Sequence, residues 1–247
     1  MVMIIGHRGA RNLWPENSLE GFRKLVDLGV EGVEFDVHMT SDRQLAVIHD
    51  PTLERTTAGS GPVGTRTLAE LQATKLRDSA EGIPSLDQVL DVLRDSSLEL
   101  HIELKTDAVG SAYASMEAKV LEAIYRHGLE RRSILTCFML EVIETIRGLD
   151  PTIPVLASLD RRSSEMLGGL DQAIERLKAI PGIYVAVEKS LLIHTLQQFS
   201  ATFGADRIGA WVPNDDADLR YWLSQPIRQI TTDRPDLALG VRSKIAP

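Results

Sequence analysis

The sequence predicts an α/β fold, a TIM (β/α)8 barrel with a short insertion after its second barrel strand and that strand's hairpin, on three observations. The 247 residues exceed an ordinary domain but match the size at which such barrels form a single unit. Strand-like apolar runs alternate with amphipathic stretches along the chain, as repeated βα units require. Nine such runs occur. One follows its predecessor too closely for a parallel crossover, and setting it aside leaves eight, the number that closes a barrel.

The runs lie at Val2 to Ile5, Gly32 to Val37, Leu45 to Ile48, Leu98 to Leu104, Ser133 to Phe138, Pro154 to Ser158, Ile183 to Val187, Arg207 to Val212 and Ile227 to Thr231. Only Met39 to Gln44 separate Val37 from Leu45, so this pair is expected to form an antiparallel hairpin. Helical periodicity is clear at Ser18 to Leu28, Ser85 to Arg94, Tyr113 to His127 and Ile193 to Phe203. Pro51 to Pro84, with Thr56-Thr57-Ala58-Gly59-Ser60-Gly61-Pro62 inside it, reads as an insertion at about 51–84 with one short helix near Leu68 to Leu76. Its Gly and Pro content suits a mobile cap over the barrel mouth. No repeat or linker divides the chain, and 1–247 is read as one domain.

Composition narrows the function. A net charge of −8 argues against a nucleic-acid partner while leaving room for a local cationic pocket at Arg8 and Lys105. Cys137 is the only cysteine, which excludes an internal disulfide. The start, Met1-Val2-Met3-Ile4-Ile5-Gly6, lacks the basic segment of a signal peptide, and no apolar run approaches the roughly 20 residues of a spanning helix. The expectation is a soluble cytoplasmic protein without stable membrane association, with self-association into a homo-oligomer left open.

Alternation along the strands orients the ionisable residues. In Val33-Glu34-Phe35-Asp36-Val37 the two acids share one face, and in Leu100 to Lys105 the residues Glu103 and Lys105 do, while the apolar residues face the helices. All four fall near strand C-termini, where barrel enzymes build their sites, and His7 and Arg8 end the first strand beside them. Three inward carboxylates repel one another, and none has an obvious neutralising partner on its own strand. A bound cation relieves this most simply. Oxygen donors without cysteine suit Mg²⁺ or Ca²⁺, with Mn²⁺ also possible. Glu34-x-Asp36 alone reads more readily as a core salt-bridge pair, and Glu103 tips the balance towards metal.

A lone histidine at a strand end is usually structural. His7 and His49 beside Arg8, Lys105 and the carboxylates are better read as an acid and base pair, because imidazole titrates near neutrality. His38 is expected to shape the hairpin and His101 to fill the barrel below Glu103. His127 and His194 read as surface residues.

Taken together, His7-Arg8-Gly9, Pro15-Glu16-Asn17-Ser18, Glu34-x-Asp36-Val37, Thr40 through His49-Asp50, Pro84-Ser85-Leu86, Glu103-x-Lys105, Trp211-Val212-Pro213-Asn214 and Thr232-Asp233-Arg234-Pro235 resemble the ordered signature of the glycerophosphodiester phosphodiesterases. The resemblance spans nearly the whole chain. It implies a TIM barrel, a divalent metal held by Glu34, Asp36 and Glu103, catalytic His7 and His49, and phosphate contacts by Arg8 and Lys105. Ser18 stands where threonine is common but keeps a capping hydroxyl, Cys137 replaces a serine before Phe138, and Pro213 stiffens the loop that follows Trp211.

The reaction so implied is metal-dependent hydrolysis of a glycerophosphodiester to sn-glycerol 3-phosphate and an alcohol, within lipid and glycerol metabolism. The nucleophile is either water or the glycerol 2-hydroxyl, by way of a cyclic phosphate. Trp211 offers a wall for glycerol carbons, Glu16 orients Arg8 or the metal shell, Asp50 steers His49, and Asp233 is expected to cap the last helix. Two rivals are a phospholipase on the same barrel, which an aromatic content of 5% does not favour, and a binding protein that has lost its chemistry, which the full set of candidate residues opposes.

Overall fold

The computed structural model describes residues 1–245. The elements run β1 (Met3–His7), α1 (Leu19–Leu28), β2 (Gly32–Met39), β3 (Leu45–Val47), α2 (Leu68–Ala73), α3 (Leu86–Leu93), β4 (Glu99–Leu104), α4 (Met116–His127), β5 (Ser133–Cys137) and α5 (Leu140–Leu149). They continue with β6 (Val155–Leu159), α6 (Arg161–Met166), α7 (Leu170–Lys178), β7 (Tyr184–Glu188), α8 (Lys189–Phe203), β8 (Ile208–Trp211), α9 (Asp216–Leu223), β9 (Gln229–Thr232) and α10 (Pro235–Ile245). Eight parallel strands follow one another from β1 through β2 and β4 to β9, and β9 pairs with β1 to close a TIM barrel.

The strand β3 stands outside that ring. It pairs antiparallel with Val37, His38 and Met39 at the far end of β2, whereas β1 pairs with Gly32, Val33 and Glu34 at the near end. The second strand therefore outruns the barrel rim, and its overhang carries the hairpin that brings His49 back to the mouth. All eight residues of β2 are buried. Val33, Phe35 and Val37 pack outward among the helices, each burial stabilising the fold by about 1.5–3 kcal/mol.

Helix starts follow from local chemistry. Ser18 accepts the Gly21 amide at 2.9 Å and caps α1, and Thr67 and Ser85 open α2 and α3 with reciprocal capping boxes, contacts that typically stabilise a helix by about 1 kcal/mol each. Gly32 has no room for a side chain, since a Cβ there would lie 2.9 Å from the Glu99 carbonyl oxygen and 2.7 Å from Ile5. No helix of the described residues is long and apolar enough to cross a membrane.

The segment between β3 and α3 departs from the cap expected of it. It packs over its own apolar cluster, with Leu53, Val63, Leu71, Leu76 and Ile83 joined to Ala46 and Ile48. None of residues 51–84 lines the barrel-mouth cavity. A cluster of this kind orders a Gly-rich stretch that composition alone assigns to mobility. His127 also differs from its surface assignment: its ring is 6% exposed and bonds the Ala123 carbonyl at 2.8 Å at the end of α4.

Candidate active site

The cavity of about 280 Å³ at the C-terminal mouth of the barrel is divided in character. His7, Arg8, Glu34, His49, Glu103 and Lys105 line one side, and the other carries Phe138, Leu156, Ala186 and Trp211. Trp211 meets Phe138 edge to face at 5.9 Å and donates its indole N–H to the Ala186 carbonyl, which fixes an apolar wall opposite the charges.

The loop after β1 is strained where it enters the site. Arg8, Gly9 and Ala10 are consecutively left-handed, with φ of 52°, 74° and 73°, and Asn17 follows at 55°. Non-glycine residues adopt this region at a cost that surrounding contacts must offset. Here the Arg8 amide donates to Glu34 at 3.2 Å and the Asn17 side chain donates to Asp36 at 2.9 Å. The turn and β2 are thus fastened through the carboxylates themselves.

Glu34, Asp36 and Glu103 present carboxylate oxygens within 4.8 Å of one another. Burial, with the charges of Asp36 and Glu103, holds the Glu34 carboxyl well above the usual range. Burial opposes ionisation of Asp36 too, but Lys105, His49 and Arg8 and the Asn17 hydrogen bond outweigh it and hold that carboxyl low. Contrary to the sequence expectation, one partner does sit on the acids' own strand line: the Lys105 ammonium lies 2.7 Å from Glu103 and 3.5 Å from Asp36. That compensation is incomplete. Glu34 Oε1 and Asp36 Oδ1 remain buried without any hydrogen-bond partner, and such orphaned acceptors on an all-oxygen donor set fit a hard divalent cation.

Each candidate histidine is held from behind by a carboxylate. His7 Nδ1 lies 2.5 Å from Asp233 Oδ1, and its Nε2 lies 3.7 Å from Glu34. His49 Nδ1 lies 2.7 Å from Asp50. Burial lowers the His7 pKa despite the Asp233 hydrogen bond, so its ring is mainly neutral near pH 7, with Nδ1–H donating to Asp233 and a lone pair on Nε2. Burial also opposes ionisation of Asp233, but His7, Asn214 and Arg11 hold it down at about 2. Asp233 does not turn towards the last helix, as its place before Pro235 suggested; fully buried, it faces His7 and accepts from Asn214 at 2.8 Å.

The supporting shell joins separate loops. Glu16 accepts from Arg8 at 3.3 Å and from both terminal nitrogens of Arg55, while Arg55 also grips Asp50 at 2.5 and 3.1 Å. His38, completely buried, contacts the His49 carbonyl and Tyr113, and burial lowers its pKa to about 4. His101 lies inside the barrel, bonded to Glu99 at 2.8 Å. Arg11, Arg55, Tyr113 and the role of Asp233 escaped the sequence reading. Arg11 had a faint signal in its place just after His7-Arg8-Gly9, and the others meet partners far away in the chain.

Known proteins resemble the chain along nearly its whole length. The profile of the "Glycerophosphoryl diester phosphodiesterase family" matches residues 7–237. A "Glycerophosphodiester phosphodiesterase" of Bacillus altitudinis is 31% identical over 99% of this chain and 100% of its own length. Another, from Caldanaerobacter subterraneus subsp. tengcongensis, is 32% identical over 62% of this chain and 65% of its own, so in that alignment the chain spans just under two thirds of its relative. The fold superposes on an Oleispira antarctica phosphodiesterase solved in complex with the product sn-glycerol-3-phosphate, with a TM-score of 0.83 at 22% identity over 98% of this chain and 96% of that one.

Proposed function

Because the chain belongs to the glycerophosphoryl diester phosphodiesterase family and is a phosphodiesterase of that kind, we propose that it hydrolyses small soluble glycerophosphodiesters to sn-glycerol 3-phosphate and an alcohol, with His7 and His49 as its acid and base. One observation carries this reading: two imidazoles, each with Nδ1 held by a carboxylate, flank a cluster of three carboxylates, Glu34 and Asp36 buried and Glu103 partly so, at one cavity.

Glu34, Asp36 and Glu103 would hold Mg²⁺, Ca²⁺ or Mn²⁺, which supplies charge neutralisation at a nonbridging phosphate oxygen and lowers the barrier to attack. Arg8 and Lys105 hold the remaining phosphate charge. Glu16 keeps the Arg8 guanidinium in place, and Trp211 covers the glycerol carbons. His7 is the better base, because its buried ring is mainly neutral and its Nε2 lies beside Glu34. It accepts the proton of the attacking hydroxyl, either water or the glycerol 2-OH, the latter giving a cyclic phosphate that a water then opens to the monoester. His49, its ring 28% exposed and braced by Asp50, delivers a proton to the departing alcohol at the open side. The same reading takes the whole chain as one domain acting in the cytoplasm, in keeping with a single buried cysteine, and the acidic balance favours a small diester over nucleic acid.

Phosphorus NMR of glycerophosphocholine, glycerophosphoethanolamine and a lysolipid incubated with the purified protein and Mg²⁺ tests the reading. Release of sn-glycerol 3-phosphate from the first two is expected. His7→Ala and His49→Ala are each expected to lose about a hundredfold or more in turnover while keeping their fold. A substrate with a better leaving group is expected to restore only His49→Ala. Turnover confined to the lysolipid, or full activity in both variants, overturns the proposal.

A further inference from the structure

His38, buried, and Tyr113, half-buried, form a pair that the acid-base scheme leaves unused, yet it touches one of its members. His38 sits on the overhang of β2, where β3 replaces β1 as neighbour. Its ring is fully buried, with Nε2 3.0 Å from the His49 carbonyl oxygen and Nδ1 2.9 Å from the Tyr113 hydroxyl. A carbonyl can only accept, so Nε2 carries the proton and donates it. Nδ1 is then the acceptor, and the phenol O–H donates to it. The rings meet edge to face at 5.8 Å and 88°.

Tyr113 belongs to the loop between β4 and α4, which a bridge between Thr106 and Ala112 closes upon itself. It rests on Gly64, where an added Cβ would stand 3.5 Å from its ring. The β2 overhang, the β4–α4 loop and the 51–84 segment thus converge behind the main chain of His49. On its side-chain face, among the described residues, His49 is bonded by Asp50, which Arg55 grips in turn. A second, separate support for this histidine comes through its carbonyl.

We propose that His38 and Tyr113 are positioning residues for His49: the His38 Nε2–H bond to the His49 carbonyl, with the ring held in place by the Tyr113 hydroxyl on Nδ1, sets where the His49 imidazole stands over the cavity. The inference rests on His49 being an acid-base residue. Misplacing a reacting group by about 1 Å costs up to roughly a hundredfold in rate, and loss of the single hydroxyl is expected to cost about tenfold in kcat with KM within about twofold.

A double-mutant cycle of Tyr113→Phe with His49→Ala tests this, read as kcat and KM on glycerophosphocholine with saturating Mg²⁺, alongside thermal melting and Mn²⁺ affinity by calorimetry. Tyr113→Phe is expected to lower kcat about tenfold in the native background and to add no further loss in the His49→Ala background, since contributions made through one residue are not additive. Mn²⁺ affinity stays at the parent value. His38→Gln, whose amide N–H still reaches the carbonyl, keeps more kcat than His38→Leu. Unchanged kcat in Tyr113→Phe, equal losses in both backgrounds, or losses that merely follow melting temperature overturn the proposal. Full kcat in His49→Ala overturns the acid-base reading and this inference with it, and that outcome appears in the single variant alone.

Discussion

Nδ1 of His7 and Oδ1 of Asp233 meet at 2.5 Å although 226 residues separate them in the chain. A carboxylate at Nδ1 fixes the tautomer that leaves Nε2 with its lone pair. Asp233→Asn preserves shape but presents an amide whose N–H₂ favours the opposite tautomer. A fall in kcat of about a hundredfold or more is expected, with an unchanged melting profile, as for a misdirected imidazole in hydrolytic triads. Steady-state kinetics at pH 7 decide it, and a loss below about threefold would remove Asp233 from the catalytic arrangement.

The orphaned oxygens of Glu34 and Asp36 predict dependence on a divalent cation. Exhaustive chelation is expected to abolish turnover, and Mg²⁺, Mn²⁺ or Ca²⁺ to restore it. Glu34→Gln keeps one oxygen and removes a charge, so calorimetric titration is expected to show cation affinity weakened by about tenfold or more. Activity surviving chelation, or a superimposable titration, would refute the assignment.

Arg55, from the 51–84 segment, ties Asp50 to Glu16 beside the candidate site. Arg55→Ala releases both carboxylates and is expected to lower kcat several-fold by a similar factor for every alcohol group, because the segment lines no part of the cavity. Shortening Thr57 to Val63 is likewise expected to reduce stability without widening substrate choice, since it strips Val63 from an apolar cluster. Comparison of glycerophosphocholine with bulkier diesters is the measurement, and selective gain on the bulky ones would restore the segment as a cap.

Acid stability tests the opposite end of the barrel. Burial raises the Glu99 pKa, but hydrogen bonds from His101 and Arg228 outweigh it and bring the value to about 2, against 4.5 for a free side chain. With the folded value depressed, the stabilisation is complete above about pH 4.5 and disappears as pH falls towards 2. Glu99→Gln is expected to lower stability at pH 7 by on the order of 1 to 2 kcal/mol, allowing for solvent screening, with the gap to the parent closing across that window. Denaturant melts at pH 7, 4 and 2.5 read it directly, and a constant gap contradicts the assignment.

Strand parity made Glu34, Asp36, Glu103 and Lys105 legible before any coordinates, because a period of two leaves each residue only two directions. The hairpin was equally legible, since six residues cannot span a crossover. What stayed hidden depends on contacts that no local pattern encodes. Asp233 looked like a helix cap because its neighbours suit one, and only closure of the ring turns it towards His7. Tyr113 lay in a stretch read simply as helix, and its hydroxyl finds His38 across 75 residues. The Gly-rich run at Thr56 to Pro62 carried the composition of a mobile loop, while the apolar residues that order it are scattered from Ala46 to Ile83.

Closure of the barrel through β9 and β1 also sets an order on the birth of the site. Both candidate histidines and all three clustered carboxylates lie within the first 105 positions, so a growing polypeptide holds them before β9 exists. Its first strand meanwhile lacks one of its two neighbours and His7 lacks the carboxylate that orients it. The arrangement around His7 is therefore complete only when Gln229 to Thr232 dock beside β1 and carry Asp233 into place.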